Sequence, residues 1–423
     1  MKEKGRKMLK VLETFSGIGA QAKALDRLDI EYEIIATADW DINAIIAYDL
    51  IHNGKQNLDE YKSLSKEDVL SELKKYTLSY DGKTVYEYEK LKKNNISVLK
   101  SLLYAIKRSK NLTSITDVTS KNIPNDLDLL TYSFPCQDLS IAGLWHGNVS
   151  GIDRDANNRS GMLWEIERII KECVCEKKHL PNFLLMENVS NILSKRHISN
   201  FNEWQDYLKD IGYYNKVYKL NAKDFGIPQN RERVYMLSIL TESDKEINRY
   251  LDEYFFKNTL ENDLYIESLN LKRISMEDII KNNYDNPKYK KEANQSQLNN
   301  TPSRIKIVNE NEKIFTDGIY SKEIKTITTK QDRNPNSGVI EYKNNVDGKL
   351  NWRYLTPREC FVAMGFDESD YDILLDNNIK INESRKFFSN SKLIKMAGNS
   401  IAVNVLQAIF YQIIEIKKII KNK

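Results

Sequence analysis

Short apolar runs alternate with helical segments at the start of the chain, and this alternation constrains the fold more than any other feature. An apolar run at residues 8–14 is followed by a glycine-containing turn at 15–20 and a helical segment at 21–28. A second apolar run at 32–38 is followed by another helical segment at 42–52. Strands that are separated by helices are typical of a doubly wound, mostly parallel α/β sheet. We therefore expect a Rossmann-like domain.

The α/β pattern continues after an interruption. Residues 53–112 are rich in Lys, Tyr and Leu and helical in pattern, which indicates an insertion. Its charges are typical of a solvated face, and direct contact with a nucleic acid is the alternative. Strand-like runs return at 126–133 and 182–186, and a hairpin-like pattern covers 216–240. The first domain is therefore expected to span residues 1–240.

The composition changes after residue 240. Residues 241–350 are rich in Asn and Lys and contain several turn signals, which indicates a separate, smaller and irregular module. Residues 351–423 return to an apolar helical pattern, and we expect this segment to pack back on the first domain. Lys and Arg exceed Asp and Glu by only 64 − 60 = 4, so any surface that binds nucleic acid must be a local patch.

Cysteine usage and hydropathy indicate a reducing compartment. Four cysteines in 423 residues do not make a disulfide framework. The Cys-x-Cys pair of Cys173 and Cys175 has no second pair of ligands and lies in a helical segment, so no metal site is expected. No apolar segment long enough for a signal peptide or a membrane span is evident. The expected protein is soluble and cytoplasmic, without a membrane partner.

Two strand ends suggest a cofactor site. Gly17 and Gly19 lie between the first strand and its helix, where a ligand can approach the backbone and meet helix amides. Asp39 follows the second strand, where doubly wound folds place a carboxylate on a ribose hydroxyl, and Trp40 is suited to stacking on adenine. The alternatives are a tight turn, a helix N-cap and a core residue. Together these residues favour an adenosine-containing cofactor, either a nicotinamide nucleotide or S-adenosylmethionine.

Two reactive groups follow the next two strands. Cys136 follows Pro135 in SFPCQDLS at the predicted end of a parallel strand, where such folds bind ligands. The alternative is a packed structural thiol. Glu187 ends the following strand, and a carboxylate is costly to bury there without a partner or a role. A nucleophilic cysteine and a carboxyl group on neighbouring strand ends are suited to attack on a polarised ring.

A pair of arginines lies in the hairpin-like region. Arg231 and Arg233 in QNRERVY are two residues apart, so their side chains would share one face of a strand. Paired guanidinium groups bind anionic groups or carbonyl oxygens. An exposed salt bridge is the alternative.

The motifs, taken in order, resemble those of the cytosine-5 DNA methyltransferase family. The resemblance covers nearly all of the chain except the insertion and the module at 241–350. It rests on FSGIGA, the Asp39–Trp40 pair, Asp117 in ITDVTS, SFPCQDLS, RSGMLWEIERI, MENV, QNRERVY, LTPRECFVAMGF and AGNSIAVNVL. It implies transfer of a methyl group from S-adenosylmethionine to carbon 5 of a cytosine in double-stranded DNA.

The resemblance also implies catalytic roles. Cys136 would attack carbon 6 of cytosine, and Glu187 would hold the ring nitrogen beside the amino group. Arg233 would position or polarise the base, and Arg231 would support the same pocket. Loss of the proton at carbon 5 and release of the thiolate would complete the reaction.

The implied cofactor site draws on distant parts of the chain. Asn399 lies far from the other residues in sequence, so the C-terminal segment must return to the first domain. The residues implied by the resemblance are Phe15, Gly17, Gly19, Asp39, Trp40, Asp117, Val118, Pro135, Leu163 and Asn399.

Contacts with DNA are expected in two regions. A cytosine inside a duplex must be flipped out before a buried nucleophile can reach it. The polar, glycine-containing stretch at 137–160 is suited to a mobile lid, and Trp145 or His146 would fill the gap left by the base. The module at 241–350 corresponds to the family's target-recognition region. Its candidates for reading bases or holding phosphates are Lys330, Gln331, Arg333 and Asn334, with surface turn chemistry as the alternative.

Three other functions are alternatives to DNA methylation. The family includes transfer-RNA cytosine-5 methyltransferases with much the same catalytic residues, although these have a shorter recognition module. An inactive binding protein and a nicotinamide-dependent oxidoreductase do not account for Cys136, Glu187 and Arg233. The expected enzyme is a monomer of bacterial or phage origin. It would modify the site of a cognate restriction endonuclease without contacting that enzyme, or act as a solitary copy.

Overall fold

The central feature of the fold is a six-stranded sheet. The structure is a computed structural model that describes residues 8–135, 139, 152–154 and 159–421. The sheet consists of β1 (Leu9–Thr14), β2 (Tyr32–Ala38), β3 (Leu129–Tyr132), β4 (Phe183–Val189), β5 (Tyr213–Asn221) and β7 (Glu232–Leu240). Their order is β2-β1-β3-β4-β7-β5. Strands β1 to β4 are parallel, and β7 is antiparallel to both β4 and β5. The predicted mostly parallel, doubly wound sheet is confirmed.

The strands separate two apolar cores. Val11 and Leu129 belong to the core on one face of the sheet, and their neighbours Leu12 and Leu130 belong to the core on the other face. Successive side chains of a strand point to opposite faces, so a strand that is covered on both faces needs a continuous apolar run. This requirement explains why the central strands could be recognised in the sequence.

Helices cover the two faces. Within the described residues, the helices up to residue 210 are α1 (Ala20–Asp26), α2 (Ile42–Asn53), α3 (Lys66–Leu73), α4 (Tyr88–Leu91), α5 (Ile96–Arg108), α6 (Leu163–Cys175) and α7 (Ile198–Asp210). The helix predicted at 21–28 begins one residue earlier and ends at Asp26. Gly19, in the left-handed conformation with φ 77°, is the N-cap that starts it.

The insertion is helical, as predicted, and it is part of the main core. Helix α5 packs on α2 and on α3. Its buried residues Leu99 and Leu102 join the core on the α2 face of the sheet. Arg108 in α5 donates from Nε to Oδ1 of the buried Asp49 in α2 at 2.6 Å. These contacts attach the insertion to the domain rather than leaving it as an appended arm.

The segment at 241–350 has more regular structure than its turn-rich sequence indicates. It contains α8 (Lys245–Lys257), α9 (Asp263–Ser268), α10 (Met276–Ile279), α11 (Pro287–Ser296) and α12 (Pro302–Glu310). A second sheet has the order β10-β9-β12-β13-β8, from β8 (Gln297–Asn299), β9 (Lys313–Thr316), β10 (Ile319–Tyr320), β12 (Val339–Glu341) and β13 (Lys349–Arg353). A two-stranded parallel pair joins β6 (Gln229–Asn230) to β11 (Ile324–Lys325). The domain boundaries at 240 and 350 remain a prediction.

The C-terminal helices return to the first part of the fold. They are α13 (Pro357–Val362), α14 (Glu368–Asp376), α15 (Asn390–Asn399) and α16 (Val403–Lys421), and α16 packs on α1. By length and composition alone, residues 390–420 could cross a membrane, so the expectation that the chain has no apolar segment of this length is wrong. Within this stretch, 83% of an apolar 18-residue segment is buried inside the protein. This stretch is therefore part of the core, which requires the same apolar residues.

A buried arginine joins the C-terminal helices to the preceding segment. Arg358 in α13 is fully buried, and its Nη2 lies 2.9 Å from Oε1 of Glu292 in α11. The same guanidinium lies 2.7 Å from Asp372 and 3.2 Å from Glu368, both in α14. A guanidinium without water needs such partners, so this cluster determines how the three helices meet.

Replacing Arg358 should destabilise the protein strongly. Arg358→Met leaves Glu292 buried without its cation, and we expect a loss of about 3–5 kcal/mol in the free energy of unfolding. Urea denaturation followed by tryptophan fluorescence measures this loss. Adding Glu292→Gln to Arg358→Met should restore part of it, because no buried carboxylate then remains.

Arg249→Met is the matched control for this prediction. Its side chain is 82% exposed and its Nε lies 3.9 Å from Glu253, so little change is expected. Equal urea midpoints for the Arg358 and Arg249 variants would contradict the role assigned to the buried cluster.

Candidate active site

A cavity of about 720 Å³ lies at the carboxyl ends of the parallel strands. It is lined by residues that follow β1, β2 and β3 and by Glu187 in β4. The chain crosses from one side of β1 to the other between β2 and β3, and such a change of direction opens a crevice at the sheet edge. The topology therefore brings part of the predicted set to one cavity, namely Phe15, Gly17, Asp39, Trp40, Pro135, Glu187, Arg231, Arg233 and Asn399.

The turn after β1 is open to this cavity. Phe15 and Gly17 both line it, with φ of 54° and 55°. A positive φ is unfavourable for a bulky residue such as Phe15, and it marks a backbone held in place by its surroundings. A Cβ atom at Gly17 would have nothing within 4 Å, so the backbone there is accessible to a ligand.

Gly19, which the resemblance implies as a cofactor residue, packs closely against α2, and its contact with a cofactor remains a prediction. It is absent from the cavity lining, and a Cβ atom added to it would clash with the rings of His52 and Tyr48. His52 in turn bonds through Nε2 to the carbonyl oxygen of Ile18 at 2.9 Å. Gly19 is therefore required for close packing of the turn on α2.

Asp39 supports the turn through the backbone. Its Oδ2 accepts a hydrogen bond from the Gly17 amide at 2.8 Å, and its Oδ1 accepts one from the Asp41 amide at 2.9 Å. Burial and the nearby Asp41 raise the pKa of Asp39 to about 6, although these two amides act in the opposite direction. Trp40 lines the cavity beside Asp39.

Three further residues that were predicted for the cofactor site do not line the cavity, namely Asp117, Val118 and Leu163. Asp117 is exposed and Val118 is fully buried, and neither lines the cavity. Leu163 is also fully buried in the core. The cavity is lined instead by their neighbours Ser114, Ile115, Thr116 and Met162. Because residues 115–117 form a single 3-10 turn, consecutive side chains there point in different directions.

The chain around the predicted nucleophile is anchored to the end of β4. Pro135 lines the cavity, and Cys136 itself lies outside the described residues. Asn188 Nδ2 donates to the carbonyl oxygen of Phe134 at 3.1 Å, and Asn191 Nδ2 donates to that of Leu139 at 2.6 Å. Sequence analysis missed both asparagines, although Asn188 is part of the MENV motif.

Glu187 and Arg233 form a partly buried ion pair at the cavity wall. Arg233 Nε lies 3.4 Å from Glu187 Oε1, across the antiparallel pair of β4 and β7. Burial raises the pKa of the Glu187 carboxyl, and the nearby Arg233 and Arg231 oppose this rise. A carboxyl group whose pKa is raised holds its proton more readily than an exposed one and is suited to hydrogen bonding with a polar ring.

Arg231 also lines the cavity, but its guanidinium acts on backbone carbonyls. Nη1 donates to Ile327 at 3.1 Å, and Nη2 donates to Gly398 at 3.1 Å and to Ser400 at 2.7 Å. These bonds hold the segment after β11 and the end of α15 together beside the site. Asn399, which lies between two of the acceptors, lines the cavity, and its place in a cofactor site remains a prediction.

The candidate DNA contacts divide into two groups. Lys330, Arg333 and Asn334 are exposed. Gln331 is fully buried and bonded to Ser337, so it does not present its side chain to a nucleic acid in this structure. Trp145 and His146 lie outside the described residues.

The Cys-x-Cys pair does not converge on one point. Cys173 is buried in the core and Cys175 is exposed, since residues two apart on a helix face different directions. Burial raises the pKa of the Cys173 thiol to about 11. Within the described part of the chain, no three or more His, Cys, Asp or Glu side chains are grouped to hold a metal ion.

Comparison with known proteins gives one consistent family. A model described as C-5 cytosine-specific DNA methylase matches residues 73–415. The chain is 36% identical over 419 residues to the orphan methyltransferase M.SssI of Spiroplasma monobiae, covering 97% of this chain and 98% of that protein. It is 34% identical over 418 residues to the type II methyltransferase M2.ScrFI of Lactococcus lactis subsp. cremoris, covering 96% and 99%.

A solved structure supports the fold. The crystal structure of the S. pombe Dnmt2 methyltransferase is similar with a TM-score of 0.57 and 18% identity, over 96% of this chain and 98% of that one. The protein therefore has the fold of a methyltransferase, with its cavity at the carboxyl edge of the sheet. The chain belongs to the C-5 cytosine-specific DNA methylase family, as its motifs predicted.

Loss of the Arg231 side chain should loosen the wall of the site. Arg231→Met would leave the carbonyl groups of Ile327, Gly398 and Ser400 without this donor, and we expect a loss of about 3 kcal/mol in the free energy of unfolding. Urea denaturation provides the measurement. Arg273→Met, at an exposed arginine, should leave the midpoint almost unchanged. If both variants unfold at the same urea concentration, Arg231 does not hold these segments together.

Proposed function

We propose that this protein is a sequence-specific DNA (cytosine-5) methyltransferase that uses S-adenosylmethionine and forms a covalent bond between Cys136 and the target base. The main support is the convergence of Pro135, Glu187 and Arg233 with the open glycine turn around one cavity. A nucleotide-like cofactor and a flipped base can share such a cavity, because both lie at the carboxyl edge of the same strands.

The cavity residues fit the proposed cofactor. The volume of about 720 Å³ lies within the usual range for sites that hold ligands of this size. Phe15 and Trp40 supply aromatic surface, Asp39 supplies a carboxylate for ribose hydroxyls, and the backbone at Gly17 has open space beside it. Ser114, Thr116 and Asn399 add polar groups to the lining. When bound, S-adenosylmethionine supplies the methyl group.

The catalytic residues act on the cytosine. The Cys136 thiolate forms a bond to carbon 6, and the electron pair of the 5,6 double bond moves toward carbon 5 and the ring. Glu187, whose pKa burial raises, holds a proton at the ring nitrogen and accepts from the amino group. Arg233 orients this carboxyl and stabilises negative charge on the base. After methyl transfer, which leaves S-adenosylhomocysteine, a water molecule takes the proton from carbon 5, the 5,6 double bond forms again and the Cys136 thiolate leaves.

The later segments are proposed to select the DNA site. The module at 241–350 would read the sequence, and Lys330, Arg333 and Asn334 are exposed near its end. Arg231 connects this region to the cavity through Ile327, which supports a recognition module held against the catalytic site. We further propose a cytoplasmic monomer that protects DNA from a cognate endonuclease or acts alone.

Methyl transfer should depend on Cys136 alone among the thiols tested. Purified protein is incubated with labelled S-adenosylmethionine and either duplex DNA or transfer RNA, and the methylated position is mapped by sequencing. We expect label on cytosines in one short DNA context and none with Cys136→Ser, because a hydroxyl is a much weaker nucleophile than a thiolate. Cys175→Ser, at an exposed thiol, should retain full activity.

The outcomes of this assay separate the alternatives. Label in transfer RNA alone would replace DNA with RNA as the substrate. Full activity of Cys136→Ser would refute the covalent mechanism while leaving the methyl-transfer activity itself in place.

Cofactor affinity should depend on pH through Asp39. Its pKa is about 6, and the ionised carboxylate is the better acceptor for two ribose hydroxyls. As the pH falls below 6, the ionised fraction falls, and the dissociation constant for S-adenosylhomocysteine should rise by about tenfold per pH unit. Isothermal titration calorimetry between pH 5 and pH 8 tests this dependence. Asp39→Asn should bind more weakly with a flat profile, and an unchanged slope would contradict the assignment.

A further inference from the structure

One wall of the cavity comes from the insertion. Residues 77–85, which we name the wall loop, lie between α3 and α4. Six of them line the cavity, namely Thr77, Asp81, Gly82, Lys83, Thr84 and Val85. None of them is part of the motifs that carry the resemblance to the family.

The wall loop is attached to the chain that follows β2. The Ser79 amide donates to the Trp40 carbonyl at 2.7 Å, and the Ile42 amide donates to the Ser79 carbonyl at 2.9 Å. Asn43 Nδ2 donates to the Tyr80 carbonyl at 3.0 Å. The loop therefore lies beside Trp40, at the part of the cavity proposed for the adenosine group.

The loop also has its own internal structure. The Ser79 hydroxyl donates to the Thr84 carbonyl at 2.6 Å. Asp81 Oδ1 accepts from the Lys83 and Thr84 amides at 2.8 and 3.0 Å. These bonds hold residues 79–84 in one turn conformation. The turn therefore fixes the position of Val85, the residue that follows it.

A lysine from α15 joins the loop to the other side of the cavity. Lys395 Nζ lies 2.9 Å from Asp41 Oδ2 and donates to the Asp81 carbonyl at 2.7 Å. Gly82 lies beside Asp41 and Lys395, where a side chain would crowd both. Its φ is +67°, and a Cβ atom there would lie 3.2 Å from Asp41 Oδ2 and 3.5 Å from Lys395 Nζ.

We propose that the wall loop is part of the cofactor site and that Val85 provides an apolar contact to the adenosine group of S-adenosylmethionine. This inference rests on the proposed function. Val85 is 61% exposed although it is a large apolar residue, and it belongs to the lining of a cavity. An exposed apolar side chain in such a position gains stability when a ligand with an apolar face covers it. The insertion thereby contributes to cofactor affinity.

Calorimetric titration with S-adenosylhomocysteine tests this contact without any catalytic step. Val85→Asp in the full chain removes the apolar surface and places a carboxylate against the ligand, so binding should weaken by about tenfold or more. Val346→Asp is the matched control, since Val346 is 45% exposed and does not line the cavity. Its affinity should equal that of the wild type. Thermal melting without ligand should be the same for all three proteins.

A second pair of variants tests the position of the loop. Gly82→Ala introduces strain at a positive φ and crowds Asp41 and Lys395, so the loop must shift and binding should weaken. Gly348→Ala introduces comparable strain at φ +73°, with nothing within 4 Å of the new Cβ atom. Its affinity for S-adenosylhomocysteine should remain at the wild-type value.

The results distinguish two kinds of failure. If wild-type protein binds S-adenosylhomocysteine and Val85→Asp binds as tightly as Val346→Asp, the wall loop does not contact the cofactor. If the wild-type protein does not bind S-adenosylhomocysteine at all, the proposed function fails and this inference fails with it.

Discussion

The parallel alignment of β1 to β4 is the constraint on which the rest of the site depends. Parallel strands bring their carboxyl ends to one edge, and the change of direction between β2 and β3 opens a crevice there. Phe15, Asp39, Pro135 and Glu187 come from four separate stretches of the chain, yet each follows one of these strands or lies near its carboxyl end. Buried apolar residues on both faces keep the strands aligned. The packing that forms the core therefore also positions the residues around the cavity.

Buried guanidinium groups connect the later segments to one another and, through Arg231, to this edge. Arg231 bonds to carbonyls in two segments that are about seventy residues apart, and Arg358 pairs with carboxylates of two helices. A charged group inside a protein is stable only with complete pairing, so each arginine permits few arrangements of its neighbours. The segment at 241–350 is thus held beside the cavity by the bond from Arg231 to Ile327, which the sequence of that segment does not reveal.

Sequence reasoning located cavity residues where a regular strand leads to them. Gly17 and Asp39 line the cavity after β1 and β2, and Glu187 lines it near the end of β4, because strand periodicity indicates where a strand approaches its end; their roles remain predictions. It was less successful in irregular segments. Asp117 and Leu163 were expected in the cofactor site, but their neighbours Ser114 and Met162 line the cavity. The direction of a side chain within a single turn depends on one or two backbone angles, and the residue type alone does not determine these angles.

The sequence by itself determined the fold class, the family and most of the residues at the strand ends. Those features depend on local patterns of apolar residues and on ordered motifs. Only the tertiary structure decided that Gln331 is buried, that Arg231 binds backbone carbonyls, and that Val85 of the insertion faces the cavity. The physical reason is that burial and pairing depend on contacts between segments that are distant in the chain. These contacts exist only after the sheet and its helices have packed together.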